Sequence, residues 1–487
     1  MWKQLFKRLP RKSLKSESTG SPSNGTAPLG QRSGNAGTGR ANATKRTSSA
    51  VFPAGVMSGI EPLLPFKDVP NSEKMNLFIS KLSLCCVVFD FTDPTKSVNE
   101  KDLKRVTLIE LQEFLSTGAP KYTEPAILAM CKMCAVNLFR VFPPHYRSNT
   151  RSGENDDDEP TFDPSWSHLQ LVYDILLKFV SCPSVEPKVA KKYINHSFIL
   201  GLLDLLESED PRERECLKGI MHKIYGKFMV HRPFIRKNIS NVFSRFVNET
   251  DRCNGIAELL EIYGSVITGF ALPLKEEHKI FLRMGIIPLH KPRALGAYFQ
   301  QLSYCVMQFI EKEPKLASTV ITGLLKYWPI TNSQKEVLFL SEIEEILEII
   351  KMDEFQKVMA LLFRRIGCCI SSSHFQVAER TLFLWNNEHI VNLIAHNRRV
   401  ILPLIFPALE NNVHSHWNHS VLNLTLNVRT IFSEMDDELF LDCHSQFMEE
   451  QFKLTRETEK RKEAWKHLEN AASRQPIAGN TAVLVNP

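Results

Sequence analysis

The chain has 487 residues, 43% hydrophobic and 23% charged, the composition of a soluble globular protein with material for a large core. Its net charge of +6 is unevenly placed: the first fifty residues carry ten Lys or Arg against Glu17 alone, a net +9 that leaves the rest at about −3. No apolar run reaches the roughly 18 residues of a membrane span, and the N-terminus lacks the apolar core of a signal peptide.

Residues 1–58 are rich in Ser, Gly, Asn, Thr and basic side chains and read as a disordered tail. Within it, Lys45-Arg46-Thr47-Ser48-Ser49 offers hydroxyls beside basic residues that could be phosphorylated. From about Leu63 apolar periodicity predicts helices at Glu73–Phe89, Leu103–Leu115 and Thr123–Phe142. Gly153 to Glu159 is an acidic loop. It lacks the mid-loop Gly and terminal Glu of a calcium-binding hand, so it reads as solvated.

Beyond it, amphipathic helix pairs begin near His168, Asp210, Cys253, Leu295, Lys335, His374 and His414, a period of about 40 residues. Length alone would predict about three domains. Stacked repeats escape that rule, because each pair buries its apolar face only against its neighbours and one core grows along the stack. The expected fold is all-α, a right-handed α-solenoid of HEAT or armadillo-like hairpins over residues 59–436. Asp210-Pro211-Arg212-Glu213, Ser333-Gln334-Lys335-Glu336 and Ser373-His374-Phe375-Gln376 carry capping-box signals, and Asp353 is expected to cap another helix. Residues 437–473 form a charge-laced helix packed on or extending the solenoid, with a surface position over the last repeat preferred. Residues 474–487 read as a second disordered tail.

Catalytic templates fail: there is no phosphate-binding Walker loop, nucleophile elbow or zinc-protease motif, so no catalytic residue is assigned. Cys131-x-x-Cys134 has no second pair and reads as core. His414, His416 and His419 do not share one helix face and read as a helix-start cluster rather than a metal site. Eleven cysteines without a secretory signal imply reduced thiols and a cytoplasmic or nuclear location.

A groove is the remaining candidate. His222 and Tyr225 are three apart, and Arg232 and Arg236 four apart. Ile262 and Val266 are also four apart, and Lys275 and His278 follow Pro273. Neighbouring repeats bring residues about 40 apart side by side, so these groups can line one channel that takes a short peptide with apolar anchors and an acidic group. An acidic stretch, Glu336, Glu342, Glu344, Glu345, Glu348, Asp353 and Glu354, contrasts with it and reads as a solvated face or an acidic concave wall.

Several long words carry a family resemblance. They are Asn254-Gly255-Ile256-Ala257-Glu258-Leu259-Leu260-Glu261, the run Gly269 to His278, Leu324-Leu325-Lys326-Tyr327-Trp328-Pro329, Glu342 to Leu347, and His374 to Arg380 with Trp385-Asn386-Asn387-Glu388. From about residue 60 to 470 the chain resembles the B-prime regulatory subunits of protein phosphatase 2A. The resemblance implies a pseudo-HEAT solenoid that docks on the scaffold A and catalytic C subunits and selects phosphoprotein substrates in signalling. Cofactors are expected in this chain in no form, since the catalytic metals belong to the C subunit.

It also implies a site for the motif Leu-x-x-Ile-x-Glu. His222, Lys223 and Tyr225 would surround the motif Leu, with Arg232 and Arg236 following. Ile262 and Val266, beside Glu261, would receive the motif Ile. Lys275 and His278 would attract acidic or phosphorylated positions. Two positions depart from the family pattern: Lys223 replaces an Arg fork with a point charge, and Val266 replaces Ile at a cost of about 1 kcal/mol of burial. Nucleic acid is not an expected partner, because no base-reading triplet recurs. A helical-repeat nuclear transport adaptor is the alternative; it needs a ladder of Trp and Asn, and although Trp328, Trp385 and Trp417 are present, no such ladder is visible.

Overall fold

The computed structural model describes residues 61–117, 121–142, 162–249 and 254–474, all within the contact unit Ser48–Pro487. The expected tail at 1–58, its basic Thr47-Ser48-Ser49 run, the acidic loop at 153–159, Cys253 and residues 475–487 lie outside the described residues. The described structure is helical and contains no strand.

Helices α1 (Lys74–Leu84), α2 (Val98–Ser116) and α3 (Glu124–Leu138) come first. Next are α4 (Trp166–Ser181), the single turn α5 (Pro187–Ala190), α6 (His196–Asp204), α7 (Pro211–Lys227), α8 (Arg232–Asn248), α9 (Ile256–Thr268) and α10 (Glu276–Phe281). The chain continues with α11 (Phe299–Lys312), α12 (Leu316–Lys326), α13 (Ser333–Ile349), α14 (Met352–Ile370), α15 (Phe375–Leu382) and α16 (Glu388–His396). It ends with α17 (Arg398–Ser415), α18 (His419–Met435) and the long α19 (Asp437–Arg474).

Two layers result. Helices α2, α4, α7, α9, α11, α13, α15 and α18 pack in that order to form one. The other runs from α6 to α8, through the turns at Leu282–His290, then to α12, α14, α17 and α19. Apolar positions spaced three or four apart meet between the layers, such as Leu302, Val306 and Phe309 of α11, all fully buried. Each such side chain contributes roughly 1.5–3 kcal/mol of burial. Hydrogen bonds between successive helices of the first layer repeat the sequence period. Arg214 with Glu258, Lys218 with Glu261 and Ser303 with Glu345 lie 44, 43 and 42 residues apart.

Helix starts fall where the period placed them, with local corrections. The last pair begins at His419 rather than His414, because Asn418 accepts bonds from the Ser420 and Val421 amides. Asn332, not Ser333, caps α13 by accepting from the Lys335 amide, so Ser333 is already helical. Neither Ser373 nor Asp353 caps: α15 follows His374, and α14 begins at Met352 with Asp353 in its first turn. Asp210 does cap α7, accepting from the Arg212 amide at 2.9 Å. Its capping-box partner Glu213 instead points into the core, where Tyr173 Oη donates to it at 2.6 Å and Arg140 Nη2 at 2.7 Å. Cys131 and Cys134 are core residues of α3, and burial pushes the Cys131 thiol up to about 12.

The final helix packs on the last repeat at its start. Its first turns seat Cys443 and Phe447 against α17, with Phe406 in edge contact with Phe440 and Phe447. Beyond that the helix extends the solenoid, and Phe452, Leu454, Trp465 and Leu468 are all more than half exposed.

Replacing Glu213 with Ala would leave the Arg140 guanidinium, whose side chain is 2% exposed, with only the more distant Asp163 carboxylate at 3.4 Å as counter-charge. We expect a loss of about 3–5 kcal/mol, read by urea unfolding through the fluorescence of Trp166 beside Tyr173. Deleting residues 453–487 should leave the thermal midpoint unchanged, whereas Phe447→Ala should cost about 3 kcal/mol.

Candidate functional site

The groove residues sit where α7 and α9 of the first layer meet the start of α8 and the loop before α10. On α7, His222 and Tyr225 share a face and are half-buried, while Lys223 points to solvent. The neighbouring α9 begins at Gly255, whose φ of 74° only glycine adopts freely. A Cβ there would meet the Leu206 carbonyl oxygen at 2.5 Å, so the glycine lets α9 pack against the preceding turn. Gly264 serves the other side: a Cβ would lie 2.8 Å from the Tyr304 ring of α11.

Arg232 and Arg236 converge on Tyr225. The Arg232 Nε donates to the Tyr225 carbonyl at 2.9 Å and its Nη2 to the Gly226 carbonyl at 3.2 Å, so Arg232 closes the C-terminus of α7. Its guanidinium also lies 5.2 Å from the Tyr225 ring centre. Arg236 Nη1 donates to the Tyr225 hydroxyl at 3.3 Å. Beyond them, His278 stacks face to face on Phe270 at 3.7 Å, and the exposed Lys275 precedes α10.

The aliphatic pair does not project. Ile262 is 1% exposed and Val266 5%, so the two form a floor set into the core. Glu261 is already engaged: Lys218 Nζ donates to it at 2.6 Å and Gln301 Nε2 at 3.3 Å. Burial holds His222 below its ordinary range, with Lys223 acting in the same direction. Burial likewise lowers His278; Glu277 pulls against it, while Arg236 and Lys275 reinforce it.

Several participants escaped sequence reading. Lys218 reaches Glu261 from the adjacent helix. Tyr263, stacked on Phe281 at 4.2 Å, lies near Arg236 and Tyr225, and burial pushes its hydroxyl up. Glu277 sits between Arg236 and His278. A 43-residue offset was the available signal for Lys218; none marked Tyr263 or Glu277.

The acidic stretch resolves into two sets. Glu336, Glu342 and Glu354 are buried, accepting from Trp328 Nε1, from His290 Nε2 and from Ser318 Oγ. Glu344, Glu345 and Glu348 are less enclosed, bonded to Arg380, Ser303 and Asn387. Trp328 and Trp385 are buried, which leaves Trp417 alone of the three as an exposed indole. His414 and His419 are exposed, and His416 Nε2 lies 3.3 Å from the Ser372 carbonyl. Among the described residues no three metal-ligating side chains cluster.

A family model described as protein phosphatase 2A regulatory B subunit (B56 family) matches residues 63–472. The chain belongs to the B56 family. Its relatives agree over their whole lengths. It is 65% identical to the kappa isoform of the 57 kDa B' regulatory subunit of serine/threonine protein phosphatase 2A from Arabidopsis thaliana, with 100% of this chain and 99% of that protein aligned. Identity is 60% to the B' kappa isoform of Oryza sativa subsp. japonica, over 100% of this chain and 98% of that protein. It is 54% to the Arabidopsis B' theta isoform, over 98% of this chain and 99% of that protein. This B56-family chain is therefore a non-catalytic regulatory subunit of protein phosphatase 2A.

Because burial depresses His222 and His278, the unfolded chain binds more protons below the ordinary value of 6.5. Their stabilising contribution is complete above that value and is lost as pH falls through their folded-state values. His278→Phe, which keeps the stack on Phe270, should lessen the fall in thermal midpoint between about pH 7.5 and pH 5.5.

Proposed function

We propose that this regulatory subunit docks on the scaffold A and catalytic C subunits of protein phosphatase 2A and recruits phosphoproteins in signalling, by binding Leu-x-x-Ile-x-Glu segments in the groove between α7 and α9. The supporting observation is the convergence of Arg232 and Arg236 on Tyr225, beside the floor of Ile262 and Val266. Aromatic and aliphatic groups suit the motif's Leu and Ile. Arg236, Lys275 and His278 suit its acidic end. Lys223, being solvated, contributes a long-range charge rather than a fixed contact.

Rate enhancement comes from proximity. A bound segment holds the phosphorylated residue at high effective concentration beside the catalytic subunit, which supplies the metals and the chemistry. The chain contributes recognition alone and acts in the cytoplasm and nucleus.

Gel filtration with purified A and C subunits, followed by dephosphorylation of a substrate carrying the motif, tests both halves. Co-elution with motif-dependent turnover supports the reading, and absence of co-elution defeats it. His222→Ala and Arg236→Gln should preserve the heterotrimer. Loss of the charge-assisted contact at Arg236 should weaken motif binding by about 1.5–3 kcal/mol, roughly tenfold to a hundredfold. Ile262→Ala is a poorer probe, since opening that buried site costs about 2–5 kcal/mol of stability.

A further inference from the structure

The basic side chains at the mouth of the groove already share a carboxylate from their own chain. Glu277 Oε1 lies 3.4 Å from His278 Nε2 and 3.8 Å from Arg236 Nη2. Lys275, two residues before Glu277, is close enough to His278 to act on its titration, as Glu277 and Arg236 also are. The adjacent carboxylate behaves differently: Glu276 is held by Arg283 Nη2 at 2.5 Å, seven residues farther along the chain. Of the two consecutive acids, one is engaged locally and the other faces the groove.

We propose that Glu277 is a resident competitor. It is a tethered carboxylate that occupies Arg236 and His278 in the empty groove and sets how much affinity a substrate's acidic or phosphorylated residue can add. The inference rests on the groove reading above and names what regulates that site. Two features of the geometry carry it. First, the contacts of 3.4 and 3.8 Å are longer than the roughly 2.7–2.9 Å of a tight charge-assisted bond, so the Arg236 guanidinium and the His278 ring keep donor capacity for a second anion. Second, the Glu277 side chain is 58% exposed and can swing into water without leaving a buried charge behind. A carboxylate locked in the core could not yield; this one can. Its proximity also means that any arriving anion meets either a partly neutralised Arg236 or a nearby like charge.

The test uses the full-length protein and three fluorescent peptides that share one Leu-x-x-Ile-x-Glu core. They differ only in the two positions after it, which are Ser, Asp or phosphoserine. Glu277→Gln should tighten the Asp and phosphoserine peptides by roughly two- to fivefold, the scale of an exposed ion pair, and leave the Ser peptide unchanged. The gain should shrink as salt is raised. Glu276→Gln makes the same charge change one residue away and should give no gain. An equal gain for the Ser peptide, an equal gain from Glu276→Gln, or no gain for any peptide would each overturn the proposal. Failure of the groove reading looks different: replacing the peptide's Leu and Ile with Ala would then fail to weaken binding to the unaltered protein. If those replacements do weaken binding while Glu277→Gln selects nothing, the groove stands and Glu277 has no such role.

Discussion

A helical hairpin has two apolar faces and, in this chain, only its neighbours to bury them against. That constraint places every element and every candidate binding residue. It forces each first-layer helix to lie beside the one about 40 residues away, so contacts such as Lys218 with Glu261 and Gln301 with Glu261 recur at that offset. Close packing leaves no room for a Cβ at several glycines, among them Gly255 under Leu206 and Gly264 under Tyr304. The proposed groove follows from the stack. Its walls come from different repeats, and no single hairpin carries it.

Packing apolar faces alone would let neighbouring helices slide by a turn at modest cost. Buried polar links remove that freedom. Arg140, Tyr173 and Glu213 join three segments in one enclosed network. Farther along, both ring nitrogens of His290 face acceptors, the Ile287 carbonyl at 2.9 Å and the Glu342 carboxylate at 2.8 Å, with both side chains fully enclosed. A slip of one turn would leave a buried charge without its partner, a penalty of about 3–5 kcal/mol. The registers on which the groove depends are therefore held by polar contacts well away from it.

This division explains what could be read from the chain in advance. Period and helix-start chemistry are local, so the pairs at α4, α7, α9, α11, α13, α15 and α18 were visible within a few residues. The misplaced caps are cases where two eligible side chains stand together, as with Asn332 and Ser333, and backbone geometry chooses between them. The course of α19 depended on where the last repeat ends, which no spacing within the helix encodes. At the groove, pairs three or four apart on one helix were legible: His222 with Tyr225, and Arg232 with Arg236. Which face of α9 turns inward depends on how neighbouring helices rotate against each other. That is why Ile262 emerged as floor and why Tyr263 and Glu277 went unseen.

The same rotation sorts the charges. The first layer carries acids on α13 that are already bonded across to α11, α15 and the turn before α16, so that wall offers little free negative charge to a basic partner. Around α8 and α10 the cations are bonded differently. Arg232 is consumed by the end of α7, whereas Arg236 and His278 meet only long contacts to Glu277 and the hydroxyl of Tyr225. Arg236 thus carries positive charge that no tight ion pair neutralises. The charge beside α10 and the aliphatic floor belong to separate sets of residues, Arg236 with Glu277 on one side and the buried Ile262 and Val266 on the other, so a change in that charge can leave the floor and the fold beneath it untouched.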